Sequence, residues 1–176
     1  MATIDLIVLG ILKKEPMSAY DMQKLVEYRN ISKWVKVSTP SIYKKVIQLE
    51  KKGLIQGKTV KEGNMAEKTV YSLTKDGEDA FEALMLAISD EPIHLFLDCN
   101  AVIVNLLSLP PNAQKACFNR IEQHVLALRQ QLECNITEKN DLQDVPEMGK
   151  MVLQQQYLLI QAMETWLQSL KKTLSI

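Results

Sequence analysis

Apolar residues in the first third of the chain recur at helical spacing in three short segments. The first covers about residues 3–14 and ends before Pro16, because the residue that precedes a proline is disfavoured in the helical conformation. The second covers about residues 18–28 and opens on S-x-x-D, a helix-capping signal. The third begins at residue 38 or 39 and ends at Gly53, a residue type that readily takes the left-handed conformation found after a helix. Three consecutive short helices are therefore predicted.

The third predicted helix has two chemically distinct sides. At about 100° per residue, Ile42, Val46 and Leu49 fall on one stripe, which we expect to pack against the other helices. The remaining side carries hydroxyls, an amide, lysines and a tyrosine. Lysines neutralise phosphates, and the other groups donate hydrogen bonds to phosphate oxygens and base edges. This helix therefore supplies the main predicted DNA-binding residues, which are Ser38, Thr39, Ser41, Tyr43, Lys44, Lys45, Gln48 and Lys51.

Residues 54–73 change to the alternating pattern of β-strands. Strand-forming residues flank a polar, glycine-containing segment, residues 61–66, and predict a two-stranded hairpin. Thr74 then caps a further helix that extends to about Ile88. Three helices and a hairpin are the order of a winged helix-turn-helix, in which the third helix enters the major groove and the hairpin lies against the flanking backbone. Because lysine also protects strand edges, the hairpin offers weaker DNA-binding candidates, which are Lys58, Lys61 and Lys68.

A lysine-rich helix face by itself is usually a solvated surface. Here the helix stands third in order, opens on Ser-Thr-Pro-Ser and precedes a hairpin, which together favour DNA binding. The charge distribution points the same way, since residues 1–80 carry 14 Lys and Arg against 10 Asp and Glu, whereas residues 81–176 carry 7 against 11. The amino-terminal excess of +4 is small. It leaves open a second hypothesis, a winged-helix protein–protein adaptor without significant DNA binding.

The carboxyl-terminal half is predicted to be helical. A helical stretch over about residues 95–109 lies between proline breaks, and two long amphipathic helices follow over about residues 112–138 and 148–174. Apolar spacings of three, four and seven on two long neighbouring helices are typical of a helix pair or bundle seam. The predicted dimerisation residues on these helices are Ile121, Val125, Leu128, Leu132, Val152, Leu159, Met163, Trp166 and Leu170.

These patterns predict a mainly α-helical protein with two domains. Residues 1–88 form a winged helix-turn-helix with a two-stranded β-hairpin wing, and residues 89–176 form a helical dimerisation region. Methionines and aromatic residues of the last helix are candidates for lining an effector pocket, although such residues at helical spacing are more often packing material. They are Met148, Met151, Tyr157, Met163 and Trp166.

Several classes of protein are disfavoured. The longest early apolar run, residues 6–9, is far shorter than the roughly 20 residues of a membrane span, and a cytoplasmic protein is expected. Cys99, Cys117 and Cys134 are too few and too scattered for a disulfide framework, and reduced thiols are expected, with a redox-sensing pair as the alternative. Motifs for nucleotide, zinc or hydrolase chemistry are missing, and the two histidines stand apart. Neither an enzyme nor a metal or other cofactor is predicted.

A series of short motifs runs through the first 80 residues: Leu9-Gly10-Ile11-Leu12, Pro16 to Tyr20, Trp34, S-T-P-S-I-Y, Leu49-Glu50, Gly53-Leu54-Ile55, Tyr71-Ser72-Leu73-Thr74 and Gly77. Their order and spacing resemble the PadR-type transcriptional regulators, and the carboxyl-terminal half is similar to them in pattern. The hairpin lacks the Arg-rich run that many members carry. The resemblance implies a dimeric, repressor-like protein, of a kind that often answers to phenolic or lipophilic small molecules.

The predicted function is therefore that of a sequence-specific DNA-binding regulator. A homodimer would place two recognition helices about one helical turn apart on a pseudo-palindromic operator, and a ligand would release it by favouring another dimer geometry. The expected partners are double-stranded DNA, a second copy of the chain and a small-molecule effector. Two aromatic residues keep alternative roles: Tyr20 is either a core residue or a DNA contact, and Trp34 either packs between helices or serves as a ligand platform.

Overall fold

The computed structural model describes residues 2–35, 37–38, 40–61, 67–140, 142 and 145–174. The chain separates into two compact units, Met1–Ile93 and His94–Ile176. The helices and strands of the first unit are α1 (Ala2–Leu12), β1 (Met17–Ser18), α2 (Ala19–Tyr28), a short 3-10 helix (Ile31–Lys33), α3 (Ser41–Lys51), β2 (Ile55–Val60), β3 (Lys68–Leu73) and α4 (Lys75–Ser89). The predicted order of three helices, a hairpin and a further helix is confirmed.

Local hydrogen bonds explain where these helices begin. At the start of α2, Ser18 Oγ accepts a hydrogen bond from the Asp21 amide at 3.1 Å, and at the start of α4, Thr74 Oγ1 accepts one from the Gly77 amide at 3.1 Å. The start of α3 differs from the prediction. This helix begins at Ser41, because Pro40 occupies the capping position. Ser38 therefore precedes the helix, and Thr39 lies outside the described residues.

The sheet has three strands in the order β1-β3-β2, all antiparallel. The predicted hairpin is present, with a register that runs from Ile55 opposite Leu73 to Val60 opposite Lys68. Its predicted tip falls largely on residues 62–66, which lie outside the described part of the chain. The sequence did not reveal β1, because a strand of two residues is too short to show an alternating pattern.

The core of the first unit is built where the three helices meet the base of the hairpin. Ile42, Val46 and Leu49 are completely buried, as the periodicity of α3 predicted. They pack with residues of α1, α2 and β2, which include Val8, Leu9, Met22, Val26 and Ile55. Each such side chain contributes roughly 1.5–3 kcal/mol by leaving water. This burial fixes which side of α3 faces outward.

The second unit is a helix pair with a shorter helical segment before it. It contains α5 (Cys99–Asn105), a short 3-10 helix (Leu106–Ser108), α6 (Pro111–Asn140) and α7 (Glu147–Leu174). The predicted helix over residues 95–109 is shorter than expected, because residues 92–97 form no regular structure. No helix in the described residues is both long enough and apolar enough to cross a membrane.

The pairing of α6 and α7 is antiparallel. Ion pairs join Glu122 to Lys171 at 3.0 Å and Arg129 to Glu164 at 3.0 Å. Residue numbers therefore increase along α6 in the direction in which they decrease along α7. The seam between the helices buries Phe118, Val125, Leu132, Ile160 and Leu167. Seven-residue spacing on both helices therefore forms a contact within one chain.

Candidate nucleic-acid interface

The outward face of α3 is a polar surface of lysines and an amide. Lys44, Gln48 and Lys51 are exposed and follow one another at spacings of four and three, which places them on one side of the helix. Ser41 is half-buried at the start of this face. Its hydroxyl donates a hydrogen bond to the carbonyl of Ser38, which is itself exposed.

Tyr43 and Ile47 flank this polar surface. Tyr43 is 41% exposed and Ile47 is 51% exposed. The sequence pattern did not single out Ile47, although it is an aliphatic residue that lies outside the buried stripe of Ile42, Val46 and Leu49. A methyl-bearing side chain on such a surface offers an apolar contact for the thymine methyl group.

Lys45 does not belong to this exposed face, and its predicted position there was wrong. Only 8% of the residue is exposed, and Nζ lies 2.6 Å from Oδ1 of Asp5 in α1. Lys45 lies 100° around the helix from Lys44, on the side where α1 packs. A lysine that neutralises a carboxylate inside its own fold is not available to a phosphate.

The lysines of the hairpin are exposed. Lys58 in β2 stands opposite Val70, and Lys68 in β3 stands opposite Val60, so that Lys58 and Lys68 share one face of the hairpin. Lys61 follows β2 and is also exposed. The same unit therefore provides a second group of exposed lysines, on the hairpin.

A hydrogen bond joins the end of α3 to the hairpin. Glu50 Oε1 accepts from the Gly57 amide at 3.0 Å. Gly57 stands opposite Tyr71, and the pKa of the Tyr71 phenol is raised by burial and, to a smaller extent, by the negative charge of Glu50. The sequence alone indicated no role for Glu50 or Gly57.

Tyr20 and Trp34 both have exposed surfaces. Tyr20 is 58% exposed, with Lys24 Nζ 5.6 Å from its ring centroid, so the interpretation of Tyr20 as a core residue was wrong. Trp34 is 38% exposed and follows the short 3-10 helix. Its predicted alternatives, packing and ligand contact, both stay predictions.

The predicted dimerisation residues fall into two groups. The first group packs at the seam between α6 and α7 of the same chain and comprises Ile121, Val125, Leu132, Met163 and Leu170. The second group has exposed members, since Leu128 is 45%, Leu159 49% and Trp166 40% exposed. Val152 is half-buried and lies seven residues before Leu159.

The candidate effector residues are not gathered into one place. The Tyr157 hydroxyl donates a hydrogen bond to Glu133 Oε1 at 2.8 Å, which links α7 to α6. Met148 and Met151 are exposed, and Met163 packs on the helix seam. The three cysteines are free thiols. In the described residues, no group of three or more His, Cys, Asp and Glu side chains could hold a metal ion.

The elements of the first unit define its class, a winged helix-turn-helix domain. Residues 8–83 match the model of the transcriptional regulator PadR-like family. The resemblance predicted from the sequence is thereby confirmed. The family is one of transcriptional regulators. Comparison with curated protein sequences gives no match.

Solved structures extend the likeness in fold to both units. Bacillus subtilis PadR in complex with operator DNA is 19% identical, with a TM-score of 0.81 over 97% of this chain and 98% of that chain. Bacillus subtilis PadR in complex with p-coumaric acid is 17% identical, with a TM-score of 0.81 over 98% of this chain and 96% of that chain. The Vibrio cholerae virulence activator AphA is 15% identical, with a TM-score of 0.71 over 98% of both chains. The predicted mainly α fold is confirmed.

Proposed function

We propose that this chain is a homodimeric, sequence-specific DNA-binding regulator that represses transcription by occupying a pseudo-palindromic operator. The observation that carries the proposal is that α3 has one buried apolar side and one exposed polar side. Its apolar side is completely buried, so Lys44, Gln48 and Lys51 have to face outward together. In a winged helix-turn-helix the third helix enters the major groove, and α3 is therefore the recognition helix of this proposal.

The exposed lysines and the exposed glutamine of α3 have chemical partners on DNA. Lys44 and Lys51 supply charge for phosphates, and the Gln48 amide supplies paired donor and acceptor atoms that match the edge of adenine. Lys58, Lys61 and Lys68 supply charge to the flanking backbone from the hairpin. That Bacillus subtilis PadR was solved with operator DNA supports the same use of this fold.

The dimer rests on a second apolar stripe of α7. Val152, Leu159 and Trp166 repeat every seven residues, and the exposed fractions of Leu159 and Trp166 leave apolar surface on α7 beyond its contact with α6. Exposed heptad positions on a long helix are suited to pairing with a second copy. A dimer would present two recognition helices to two half-sites about one helical turn apart.

A small-molecule effector completes the proposal. The complex of Bacillus subtilis PadR with p-coumaric acid supports a ligand of aromatic, partly apolar chemistry. Such a ligand releases the operator if it binds more tightly to a dimer whose recognition helices have another spacing. Addition of p-coumaric acid and related phenols to the protein–operator complex tests this step, and unchanged operator affinity across the series would reject it.

The proposed function is tested by fluorescence anisotropy on a labelled mixed-sequence duplex at about 50 mM and about 200 mM salt. Binding should collapse as salt rises, because counterions return to the phosphates. A dimer of the Lys44→Ala/Lys51→Ala variant lacks four lysines, and the slope of log affinity against log salt should decrease by about 3 to 4. Operator selection from genomic fragments and a reporter gene would follow.

The matched control is Lys115→Ala/Lys172→Ala, which removes the same charge from exposed positions of α6 and α7. It should bind the duplex with the wild-type slope. Absence of binding by the wild-type protein at about 50 mM salt would reject the proposal in favour of a protein–protein adaptor. Equal slopes for the two double variants would reject α3 as the contact surface.

A further inference from the structure

The recognition helix carries one acidic residue, Glu50, among its lysines. On a helix that meets phosphates, a carboxylate is unfavourable because like charges repel. The side chain of Glu50 is not merely solvated, since Oε1 accepts the hydrogen bond of the Gly57 amide at 3.0 Å. The carboxylate therefore connects the last turn of α3 to β2, the first strand of the hairpin.

The position of Gly57 in the sheet explains why its amide needs this partner. The strand order β1-β3-β2 makes β2 an edge strand, and an edge strand presents unpaired backbone groups on its outer side. Glu50 occupies that outer side at Gly57. Strand pairing on the inner side and a side-chain acceptor on the outer side hold this part of β2 from two directions.

The close approach requires a glycine. A Cβ atom at position 57 would lie 2.7 Å from Glu50 Oε1, 2.8 Å from Thr69 Cγ2 and 3.0 Å from Tyr71 Cε1. All three distances are at or below the limit that real Cβ contacts reach. Glu50 and bare backbone at Gly57 thus form one matched contact, which we name the helix–wing clamp.

The rest of the hairpin base is tied to the end of α3 separately. Thr74 Oγ1 donates a hydrogen bond to the Gly53 carbonyl at 2.7 Å, and the Thr74 amide donates one to the Leu54 carbonyl at 3.2 Å. These contacts hold the start of β2 and the end of β3. The helix–wing clamp acts further along β2, one residue before Lys58.

We propose that Glu50 is a positioning residue, which through the helix–wing clamp sets the direction in which the hairpin presents Lys58 relative to the recognition helix. This inference rests on the proposed DNA-binding function. On this proposal the carboxylate of Glu50 fixes the orientation of the hairpin. Glu50 and Lys58 are therefore expected to act together on DNA affinity.

The test compares Glu50→Gln with Glu50→Ala. Both variants remove the same negative charge, but only glutamine keeps an oxygen that can accept from the Gly57 amide. On the duplex at about 50 mM salt, Glu50→Gln should bind at least as tightly as the wild type. Glu50→Ala should bind about 2- to 10-fold more weakly than Glu50→Gln, the range that corresponds to one hydrogen bond.

A second readout distinguishes positioning from a purely structural role. Adding Lys58→Ala should weaken binding in the Glu50→Gln background and have a much smaller effect in the Glu50→Ala background, because the wing lysine is already misdirected there. If Glu50→Ala only destabilised the fold, its melting temperature would fall. The loss of DNA affinity caused by Lys58→Ala would then be the same in the Glu50→Ala and Glu50→Gln backgrounds. Equal costs in the two backgrounds would overturn the inference.

A third readout does not require DNA. The amide proton of Gly57 should exchange with solvent more slowly in the wild type and in Glu50→Gln than in Glu50→Ala, as measured by NMR. Equal exchange in the two variants would overturn the clamp even if DNA binding is established. If the Gly57 amide exchanges more slowly in the wild type than in Glu50→Ala but the wild type binds no duplex, the proposed function is rejected. The role of Glu50 on DNA is then rejected with it.

Discussion

Lys45 Nζ lies 2.6 Å from Asp5 Oδ1, and this ion pair joins α3 to α1. The side chain of Lys45 is only 10% exposed and that of Asp5 only 16% exposed. Each buried charge is therefore compensated mainly by the other. Removing one partner should therefore lower the free energy of unfolding by about 3 kcal/mol, as for other buried pairs. Denaturant unfolding of Asp5→Ala and Lys45→Ala measures this effect.

The control for this prediction is Lys44→Ala, which removes a neighbouring lysine from the exposed face of α3. Its free energy of unfolding should stay within about 0.5 kcal/mol of the wild type. The double variant Asp5→Leu/Lys45→Met replaces both charges by apolar groups and should recover most of the stability. Wild-type stability in either single variant would contradict the ion pair as a structural contact.

Lys45 also illustrates the limit of helical periodicity. The spacing of Ile42, Val46 and Leu49 was sufficient to predict the buried side of α3, because these three apolar residues lie on the same side of the helix. A polar residue at the margin of that side can face either water or a neighbouring helix. The choice depends on Asp5, which lies 40 positions earlier and whose approach to α3 requires the folded packing of α1.

The carboxyl-terminal helices show the same limit for apolar residues. The last helix has two heptad stripes, and its sequence does not distinguish which one faces α6. In the structure, Ile160 and Leu167 of one stripe are buried in the seam, whereas Leu159 and Trp166 of the other remain partly exposed. The hydrogen bond from Gly57 to Glu50 was equally inaccessible from sequence, because it depends on the turn between α3 and β2.

Two glycines at the same position in their helices should respond oppositely to alanine. Gly77 is the third residue of α4, and a Cβ there would lie 1.9 Å from the Leu54 carbonyl oxygen. Because backbone has to move, Gly77→Ala should lower the free energy of unfolding by about 3 kcal/mol. Gly149 is the third residue of α7, and the nearest atom to a Cβ is Val145 Cγ1 at 3.9 Å.

Gly149→Ala should consequently raise stability by about 0.5–1 kcal/mol, since alanine loses less backbone entropy in a helix and meets no clash. Thermal unfolding followed by circular dichroism measures both variants. An equal loss of stability in the two would show that the close approach of Leu54 does not determine the response at Gly77.

The exposed heptad stripe of α7 gives a prediction for the oligomeric state. Leu159→Glu/Trp166→Glu places two charges on the stripe that we propose to pair with a second copy, and the dimer should dissociate because buried charges lack partners. Leu158→Glu is the control, since Leu158 is 56% exposed but lies 100° around the helix from Leu159. Light scattering after gel filtration should give a monomer mass for the first variant and a dimer mass for the control. A dimer mass for both would place the interface elsewhere.

The bond between Tyr157 and Glu133 gives a prediction for alkaline pH. The pKa of the Tyr157 phenol is raised above its ordinary value of 10.0, first by this hydrogen bond, then by burial and by the negative charge of Glu133. The contribution to stability is complete below the pKa of the unfolded chain. It is lost as pH rises through the folded pKa, because the unfolded state releases its proton first.

Tyr157→Phe should therefore be less stable than the wild type at neutral pH, and the difference in free energy of unfolding should shrink as pH rises above about 10. Denaturant midpoints at a series of pH values measure this difference. A gap between Tyr157→Phe and the wild type that stays constant above pH 10.0 would show that the phenol does not stabilise the α6–α7 pair through its bound proton.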